Sequence, residues 1–149
     1  MTPIEIIIHH SAGHDGPGND TATIRRWDMG TPPNGPADGP YRDISYNALV
    51  EQVGTDYETI LGRNWTWSGA HTIGENGRSL GLCLIGDFSL TPPPQAQLAK
   101  AAKTVAMWMQ IYKIPITAVF PHRHFNATAC PGAAFPWDAF INLVKGETT

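Results

Sequence analysis

The sequence is poor in cysteine and in long hydrophobic runs. No stretch approaches the roughly 20 apolar residues of a membrane span, and the first apolar run, residues 4–8, is short and has no Lys or Arg before it. A secretion signal would have a basic start and a longer apolar segment. We therefore expect a chain that is synthesised in the cytoplasm without a signal peptide and has no membrane partner. In that compartment a disulfide between Cys83 and Cys130 is disfavoured, and a thiol in a polar setting is more typical of metal binding or catalysis.

Charge is also sparse. Asp, Glu, Lys and Arg make up 15% of the residues, and the net charge is 10 − 13 = −3. A general nucleic-acid-binding protein needs a basic surface that neutralises phosphates, so no nucleic-acid partner is expected. A length of 149 residues suits one domain with a single core, here residues 1–149, and we expect it to be a monomer.

Hydrophobic patterning predicts five strands and three helices. The strands are expected at residues 4–8, 44–50, 57–61, 80–85 and 116–120. One helix is expected from an N-cap at Asp20 to Trp27, with Ile24 and Trp27 on one face, a second over residues 91–113 with Thr91 or a neighbour as its cap, and a third over residues 136–144. Tyr46 falls on the second strand. Strands interleaved with helices predict an α+β fold in α/β/α layers, a single domain with a central mixed β-sheet of about five strands and helices on its faces.

Histidines stand at the ends of two predicted strands, and a cysteine follows the second. The first strand ends at His9 and His10, the last is followed by His122, and Cys130 comes eight residues later. Strand ends in α/β architectures are where sites collect. Two imidazoles and a thiolate form a three-ligand zinc site whose fourth position is free for water, which becomes a usable nucleophile. Adjacent strand residues point to opposite faces, so only one of the neighbouring histidines can face the metal.

The same residues also have simpler structural interpretations. Two histidines and a cysteine at this spacing could occur by chance. Cys83, inside the run LGLCLI, is typical of a small buried apolar residue, and Tyr46 of a packed strand aromatic. Trp65 and Trp67 stand in a polar loop, where they could either join the core or stack on sugar faces. The residues alone leave these alternatives open.

A resemblance to a known family adds a more specific interpretation. The chain resembles the zinc amidase family that includes phage lysozyme-type amidases and animal peptidoglycan recognition proteins. The matching segments cover essentially the whole chain in the family's order. They are residues 6–12 (IIIHHSA), 43–47 (DISYN), 62–65 (GRNW), 69–72 (GAHT), Asn76, 79–81 (SLG), 86–88 (GDF), 122–123 (HR) and 128–132 (TACPG).

This resemblance implies a set of site residues. His9, His122 and Cys130 map to the zinc ligands, with Zn²⁺ as the cofactor. Tyr46 is placed near the nucleophilic water or the scissile carbonyl, where its hydroxyl hydrogen-bonds the nucleophile or the oxyanion. His71 is placed in the groove, in contact with the muramyl-peptide.

Two positions depart from the family pattern. Thr128 stands where phage relatives often have lysine, so it offers an oxyanion only a neutral hydrogen bond. With that restriction, Thr128 joins Tyr46 as a predicted catalytic residue. Cys83 stands where a cytosolic recycling branch has a catalytic glutamate, so the mechanism of that branch is not transferred.

The activity implied by the resemblance is hydrolysis of the amide bond between N-acetylmuramic acid and L-alanine in bacterial peptidoglycan by a zinc-activated water. The compact form resembles phage or prophage endolysins, which act on peptidoglycan after release from the host cytoplasm. Arg63, Trp65 and Trp67, with the proline-rich segment of residues 29–43, are expected to wall the substrate groove.

Two rival functions remain at this stage. The first is a module that binds peptidoglycan without cutting it, which typically lacks the cysteine ligand that is present here as Cys130. The second is a structural zinc site, which would need a fourth protein ligand, with His10 or His124 as the nearby candidate.

Overall fold

The computed structural model describes residues 1–14, 16 and 18–148. At its centre lies one sheet of five strands, which are β1 (Glu5–His10), β2 (Ala48–Val53), β3 (Asp56–Leu61), β4 (Ser79–Leu84) and β5 (Val119–Pro121). They lie in the order β3-β2-β4-β1-β5. β2 and β3 form an antiparallel hairpin, whereas the other neighbours pair in parallel. The prediction of a mixed sheet of about five strands is confirmed.

The central strands are apolar because helices cover both faces of the sheet. Every residue of β1 and β4 is buried, as expected for parallel strands between two helical layers. Helices α2 (Gln95–Tyr112) and α3 (Trp137–Glu147) pack against each other on one face. Helix α1 (Thr21–Asp28) lies on the other face, where Ile24 packs against Ile44, Leu49, Cys83 and Ile85. This arrangement is the expected α+β fold in three layers.

The helix ends follow from local chemistry. Asp20 caps α1 as predicted, and its Oδ1 accepts a hydrogen bond from a backbone N–H of the first turn at 2.7 Å. Helix α2 begins at Gln95, later than predicted, and its N-cap is Pro94, a neighbour of Thr91, with φ at −53°, ψ at 143° and no side-chain cap. It ends at Lys113 in the left-handed conformation, with φ at 59°. Within the part of the chain that the structure describes, no helix is both long enough and apolar enough to cross a membrane.

The second strand starts later than predicted. It begins at Ala48, so Tyr46 lies in the irregular segment before the strand and not on it. In this segment the Asp28 carboxylate accepts hydrogen bonds from the backbone N–H and the hydroxyl of Ser45 at 2.7 and 2.8 Å. A backbone donor captured by a side chain is lost to the strand ladder.

Two further sequence predictions are corrected. The first concerns only exposure: Ile24 and Trp27 lie on the same face of α1, where both line one cavity, but Trp27 is 52% exposed. The first half of the last predicted strand is a short 3-10 turn, Ile116–Ala118, and only Val119–Pro121 pairs with the sheet. The strand is short because 3-10 turns lie on both sides of it, at Ile116–Ala118 and His122–His124.

The sheet places two histidines side by side. β1 and β5 are parallel neighbours in which Ile8 pairs with Pro121. His9 directly follows Ile8, and His122 directly follows Pro121. Both residues therefore leave adjacent strands at the same edge, where ligand sites collect in sheets of this kind.

Candidate active site

Three side chains converge where β1 and β5 end. The Nδ1 atom of His9 lies 3.7 Å from the Sγ atom of Cys130, and the ring centroids of His9 and His122 are 4.4 Å apart. The available ligand atoms of these three residues all lie within 4.8 Å of one another. Among the described residues, no other group of three or more His, Cys, Asp or Glu side chains converges in this way.

A tight turn delivers Cys130 to the two histidines. The backbone N–H of Cys130 donates to the hydroxyl of Thr128 at 3.2 Å, and the Cys130 carbonyl accepts from the N–H of Arg123 at 3.0 Å. The Sγ atom accepts from the backbone N–H of His10 at 3.4 Å. Gly132 follows with φ at 109°, a backbone conformation that favours glycine. Backbone hydrogen bonds from the turn and from β1 thus hold Cys130 in position beside the two histidines.

The donor set and its spacing fit a zinc ion. On a tetrahedral zinc with usual bond lengths, nitrogen and sulfur ligands lie about 3.6 Å apart, close to the 3.7 Å between His9 Nδ1 and Cys130 Sγ. On each histidine the other ring nitrogen is already engaged. His9 Nε2 lies 3.1 Å from His71 Nδ1, and His122 Nε2 lies 3.0 Å from Asn126 Oδ1. Histidine ligands usually have their second nitrogen held in this way, which leaves Nδ1 of both rings for the metal.

The protonation states also suit metal binding. Burial lowers the pKa of His9 well below its ordinary value, and the neighbouring His71 and His122 lower it further. Burial also lowers the pKa of His122. Both imidazoles are therefore neutral at neutral pH, which is the form that binds metals. Burial raises the pKa of Cys130 to about 11, so metal binding must displace the thiol proton.

The two other nearby histidines are engaged elsewhere. His10 Nδ1 accepts the backbone N–H of Phe88 at 3.3 Å, and the ring of His124 stacks on Phe120 with centroids 4.6 Å apart. The structure thus brings His9, and neither His10 nor His124, to the cluster. A set of three protein ligands leaves a fourth position for water or substrate, as in catalytic rather than structural zinc sites.

Tyr46 lies beside the cluster although it is not on a strand. Its ring centroid is 5.2 Å from that of His9 and 6.4 Å from that of His71. Burial, followed by the nearby thiols of Cys83 and Cys130, raises the pKa of Tyr46 well above its ordinary value. The phenol is therefore a hydrogen-bond donor at neutral pH. Cys83 itself is fully buried in the core under α1, in agreement with its interpretation as an apolar core residue.

His71 lies behind His9 more than in the open groove. It is 8% exposed, and its Nδ1 contacts His9 Nε2 at 3.1 Å and Thr72 Oγ1 at 3.0 Å. A Cβ atom at Gly81 would lie 2.5 Å from the His71 ring, so the ring occupies space that only a glycine on β4 leaves free. Burial lowers the pKa of His71 to about 3. This neutral ring can hold His9 in place, and one edge of it still lines the adjacent cavity.

Two cavities flank the cluster. One, of about 650 Å³, lies on the His71 side, with Ile73, His122 and Asn126 in its wall and Asp38 and Tyr41 from the proline-rich segment. The other, of about 380 Å³, lies on the Tyr46 side and is lined by Ser11, Asn19, Thr23, Ile24, Trp27, Asp28, Ser45 and Tyr46. A substrate that crosses the cluster would therefore find a wall on each side.

The structure does not bring the predicted groove residues Arg63, Trp65 and Trp67 to these cavities. Arg63 is buried, and its guanidinium donates to the backbone carbonyls of Asp43, Ile44 and Ser68 at 2.7–2.8 Å. The indole N–H of Trp65 donates to the Asn47 carbonyl at 3.1 Å, and its ring packs edge-on against Trp108. Trp67 lies under the guanidinium of Arg42 at 3.5 Å. These contacts join parts of the protein to one another and therefore stabilise the fold.

Sequence reasoning missed three residues around the cluster. Thr72 and Asn126 hydrogen-bond the two histidines, and Trp27 lines the cavity beside Tyr46. In the sequence, only the position of Asn126 between His122 and Cys130 indicated that it could contact the cluster. Thr128, in contrast, was predicted, and it lies on the surface with its hydroxyl bound to the Cys130 turn.

Comparisons with known proteins identify the family. The family model described as N-acetylmuramoyl-L-alanine amidase (Amidase_2) matches residues 1–133. The human N-acetylmuramoyl-L-alanine amidase is 34% identical over 111 residues, which are 69% of this chain and 19% of the human protein. A peptidoglycan-recognition protein of Drosophila melanogaster is 34% identical over 93 residues, which are 62% of this chain and 50% of that protein. The chain thus spans about a fifth of the length of the human relative.

Solved structures share the fold. The N-acetylmuramoyl-L-alanine amidase LysC from Clostridium intestinale URNW superimposes with a TM-score of 0.80 at 21% identity, over 97% of this chain and 87% of that one. Bumblebee PGRP-SA superimposes with a TM-score of 0.75 at 25% identity, over 93% of this chain and 81% of that one. On the family match over residues 1–133 and the shared fold, the chain belongs to the N-acetylmuramoyl-L-alanine amidase family.

Proposed function

We propose that this chain hydrolyses the amide bond between N-acetylmuramic acid and L-alanine in bacterial peptidoglycan with the help of zinc. The observation that carries the proposal is the convergence of His9, His122 and Cys130, whose ligand atoms lie within 4.8 Å of one another. The two cavities beside them offer room for the two parts of a branched substrate, a glycan and a peptide.

In this reaction the two neutral histidines, His9 and His122, and the deprotonated Cys130 would hold the metal. Zinc so bound supplies a water nucleophile at neutral pH and polarises a carbonyl. The water oxygen bonds to the lactyl carbonyl carbon, the C–N bond to L-alanine breaks, and both water protons end on the leaving nitrogen. The products are a carboxylate on the sugar and a stem peptide with a protonated amino group.

Tyr46 is the residue best suited to stabilise the developing negative charge. Its ring stands 5.2 Å from His9, and its hydroxyl is protonated at neutral pH, so it can donate a hydrogen bond. A donor of this kind, positioned before the reaction starts, lowers the barrier because it does not need to reorient. Tyr46 therefore takes the role of hydrogen-bond donor to the oxyanion or to the water.

Thr128 is a second, weaker donor. Its hydroxyl oxygen accepts the N–H of Cys130, so the hydroxyl hydrogen points away from that bond and is available to a substrate oxygen. A neutral hydroxyl at an exposed position contributes less than a charged donor would. We accordingly assign the main oxyanion contact to Tyr46 and a supporting contact to Thr128.

The substrate groove consists of the two cavities and the cluster between them. On one side, His71 and the 85%-exposed Ile73 offer an edge for the peptide. On the other side, Trp27 is 52% exposed above a wall of hydroxyl and carboxylate groups, a combination that suits stacking on a sugar face. Trp27 thus replaces Trp65 and Trp67 as the proposed glycan contact.

We also propose that the biological role is lysis by a phage or prophage endolysin. The support is the likeness in fold to a protein named endolysine N-acetylmuramoyl-L-alanine amidase LysCS from Clostridium intestinale URNW. The direct test is whether the purified protein, added to intact peptidoglycan sacculi, lowers their turbidity and releases stem peptides.

The amidase proposal is tested by mass spectrometry of purified peptidoglycan after digestion. Wild type should release stem peptides that begin at L-alanine, whereas Cys130→Ser and chelator-treated wild type should not. The control is Asn142→Ala, at an exposed position of α3 outside both cavities, and it should leave the cleavage intact. If wild type releases no such peptide yet sediments with the wall, the chain is a peptidoglycan-binding module, as the likeness to recognition proteins would also allow.

A further inference from the structure

A short strand and a single turn place His122, and its backbone does not by itself fix the orientation of the ring. It follows the three-residue strand β5 and opens a single 3-10 turn, His122–His124. It is only half-buried, unlike His9 within β1. A zinc ligand in such a place needs a side-chain contact to keep its ring in one orientation.

Asn126 makes that contact. Its Oδ1 lies 3.0 Å from His122 Nε2, one helical turn further along the chain. The Asn126 backbone is anchored at both ends, because its N–H donates to the His122 carbonyl at 3.3 Å and its carbonyl accepts the N–H of Thr128 at 2.9 Å. Asn126 thus spans the short segment between the second histidine and the cysteine turn.

The orientation of the Asn126 amide fixes the tautomer of His122. Its Nδ2 donates to the backbone carbonyl of Ile73 at 3.3 Å, and a carbonyl can only accept. The amide therefore turns its oxygen toward His122, and this oxygen also only accepts. His122 must then carry its proton on Nε2, which leaves the lone pair on Nδ1, the ring nitrogen that remains for a metal held with His9 and Cys130.

The loop that contains Ile73 also contacts His9, the first histidine of the cluster. Residues 70–76, which we call the support loop, lie between β3 and β4 and provide His71 Nδ1 and Thr72 Oγ1, at 3.1 and 3.3 Å from His9 Nε2. The loop is closed by Asn76, whose Oδ1 accepts the backbone N–H groups of His71 and Thr72 at 2.8 and 2.9 Å. Ile73, the anchor of Asn126, belongs to this loop.

We propose that Asn126 is a positioning residue that sets the tautomer and the ring orientation of His122 and ties this ligand to the support loop that also holds His9. This inference rests on the proposed zinc site. Its direct consequence is a change in zinc affinity, and any effect on catalysis follows from that change. Loss of an outer contact to a ligating histidine typically weakens metal binding by about 10- to 100-fold. Asn126→Ala should therefore weaken zinc binding by that factor.

The test measures zinc affinity of the metal-free protein by competition with a chromogenic chelator. Asn126→Ala should bind zinc about 10- to 100-fold more weakly than wild type, and its cobalt-substituted form should show an altered visible spectrum. Asn126→Asp keeps an acceptor for His122 and should recover most of the affinity. Asn142→Ala, on the exposed side of α3, is the control and should match wild type.

A second measurement covers the case in which Asn126→Ala does not fold. In metal-free wild type, ¹⁵N chemical shifts of His122 should show the proton on Nε2. A proton on Nδ1 overturns the proposal, and so does unchanged zinc affinity with an unchanged cobalt spectrum in Asn126→Ala. In the latter case a rise in KM alone would make Asn126 a substrate contact. If wild type binds zinc but cleaves nothing, the proposed function fails while this inference stands.

Discussion

The Nε2 atom of His9 lies 3.1 Å from the Nδ1 atom of His71, and both imidazoles are buried. Burial lowers the pKa of each ring, that of His71 to about 3. Two neutral imidazoles at this distance form one hydrogen bond, in which one nitrogen donates and the other accepts. If His9 uses Nδ1 for zinc, its Nε2 is the donor and His71 is the acceptor. His71 is then a support for the first ligand as well as a part of the groove wall.

Replacement of His71 by alanine should therefore weaken zinc binding by about tenfold or more. Chelator competition measures this change directly, and steady-state hydrolysis of a soluble muropeptide at saturating zinc reports the effect on kcat and KM. His71→Asn, which retains an acceptor, should lose less affinity. A raised KM with unchanged zinc affinity would instead favour the role that the sequence predicted, contact with the muramyl-peptide.

Replacement of Tyr46 by phenylalanine should lower kcat by about 10²- to 10³-fold, because it removes a preorganised donor to the oxyanion. Zinc affinity and thermal stability should stay close to wild type, since Tyr46 contributes no atom to the metal cluster. Stopped digestion of a defined muropeptide, with zinc content measured in parallel, checks both parts. An active Tyr46→Phe enzyme would move the oxyanion role to Thr128 or to zinc alone.

The sequence was sufficient to predict the sheet and the metal cluster. The apolar runs of β1 and β4 and the histidines at the ends of β1 and β5 follow from local patterns, and these patterns are strong because both faces of the sheet are buried. The expected ligands His9, His122 and Cys130 do converge. Strand ends predicted where the histidines lie, but the choice of His9 over His10 and the full set of three ligands came from the resemblance to the amidase family.

The groove was harder to predict because loops form it. Trp27, expected on one face of α1 with Ile24, lines the cavity beside Tyr46 and is 52% exposed, whereas Trp65 was expected in the groove but packs on Trp108. Residue type cannot distinguish these outcomes, since an indole ring serves equally well in a core and on a sugar. The direction of a loop side chain depends on long-range contacts that no local pattern encodes.

The structure predicts that Arg63 stabilises the fold rather than the substrate complex. Arg63→Met leaves the buried Ile44 carbonyl and two others without their donor, and it should lower the free energy of unfolding by about 2–3 kcal/mol. Urea denaturation measures this loss. Arg26→Met, at an exposed position of α1, is the matched control and should change stability little. A stable Arg63→Met protein with a raised KM would restore Arg63 to the groove.

The cap of α1 should make stability depend on pH. Hydrogen bonds from Thr23 lower the pKa of Asp20 in the folded protein, so its stabilisation is present above the unfolded pKa near 3.9 and is lost as pH falls through the lower folded value. At pH 7, Asp20→Ala should cost about 1 kcal/mol, and the difference from wild type should shrink below about pH 3.9. Asp20→Asn, which keeps an acceptor, is the control in unfolding curves taken at several pH values. A difference that does not change with pH would contradict the assignment.

Trp27 offers the sharpest test of how substrate lies across the cluster. The ring is half-exposed and lines the cavity on the Tyr46 side, where a sugar could stack on it. Such a contact is worth about 0.5–1.5 kcal/mol, so Trp27→Ala should raise KM for a muropeptide by about two- to tenfold with little change in kcat. A substrate analogue that has the lactyl-peptide but no sugar should show no change in KM.

The comparison of the two substrates separates glycan contact from general damage to α1. Trp67→Ala removes an indole that stacks with Arg42 outside both cavities, and it should leave KM for both substrates unchanged. An equal rise in KM for both substrates in Trp27→Ala would mean that α1 acts on the peptide or on the shape of the site. A rise confined to the sugar-bearing substrate would assign the cavity beside Tyr46 to the glycan and the cavity beside His71 to the stem peptide, because the scissile bond must cross the metal cluster between them.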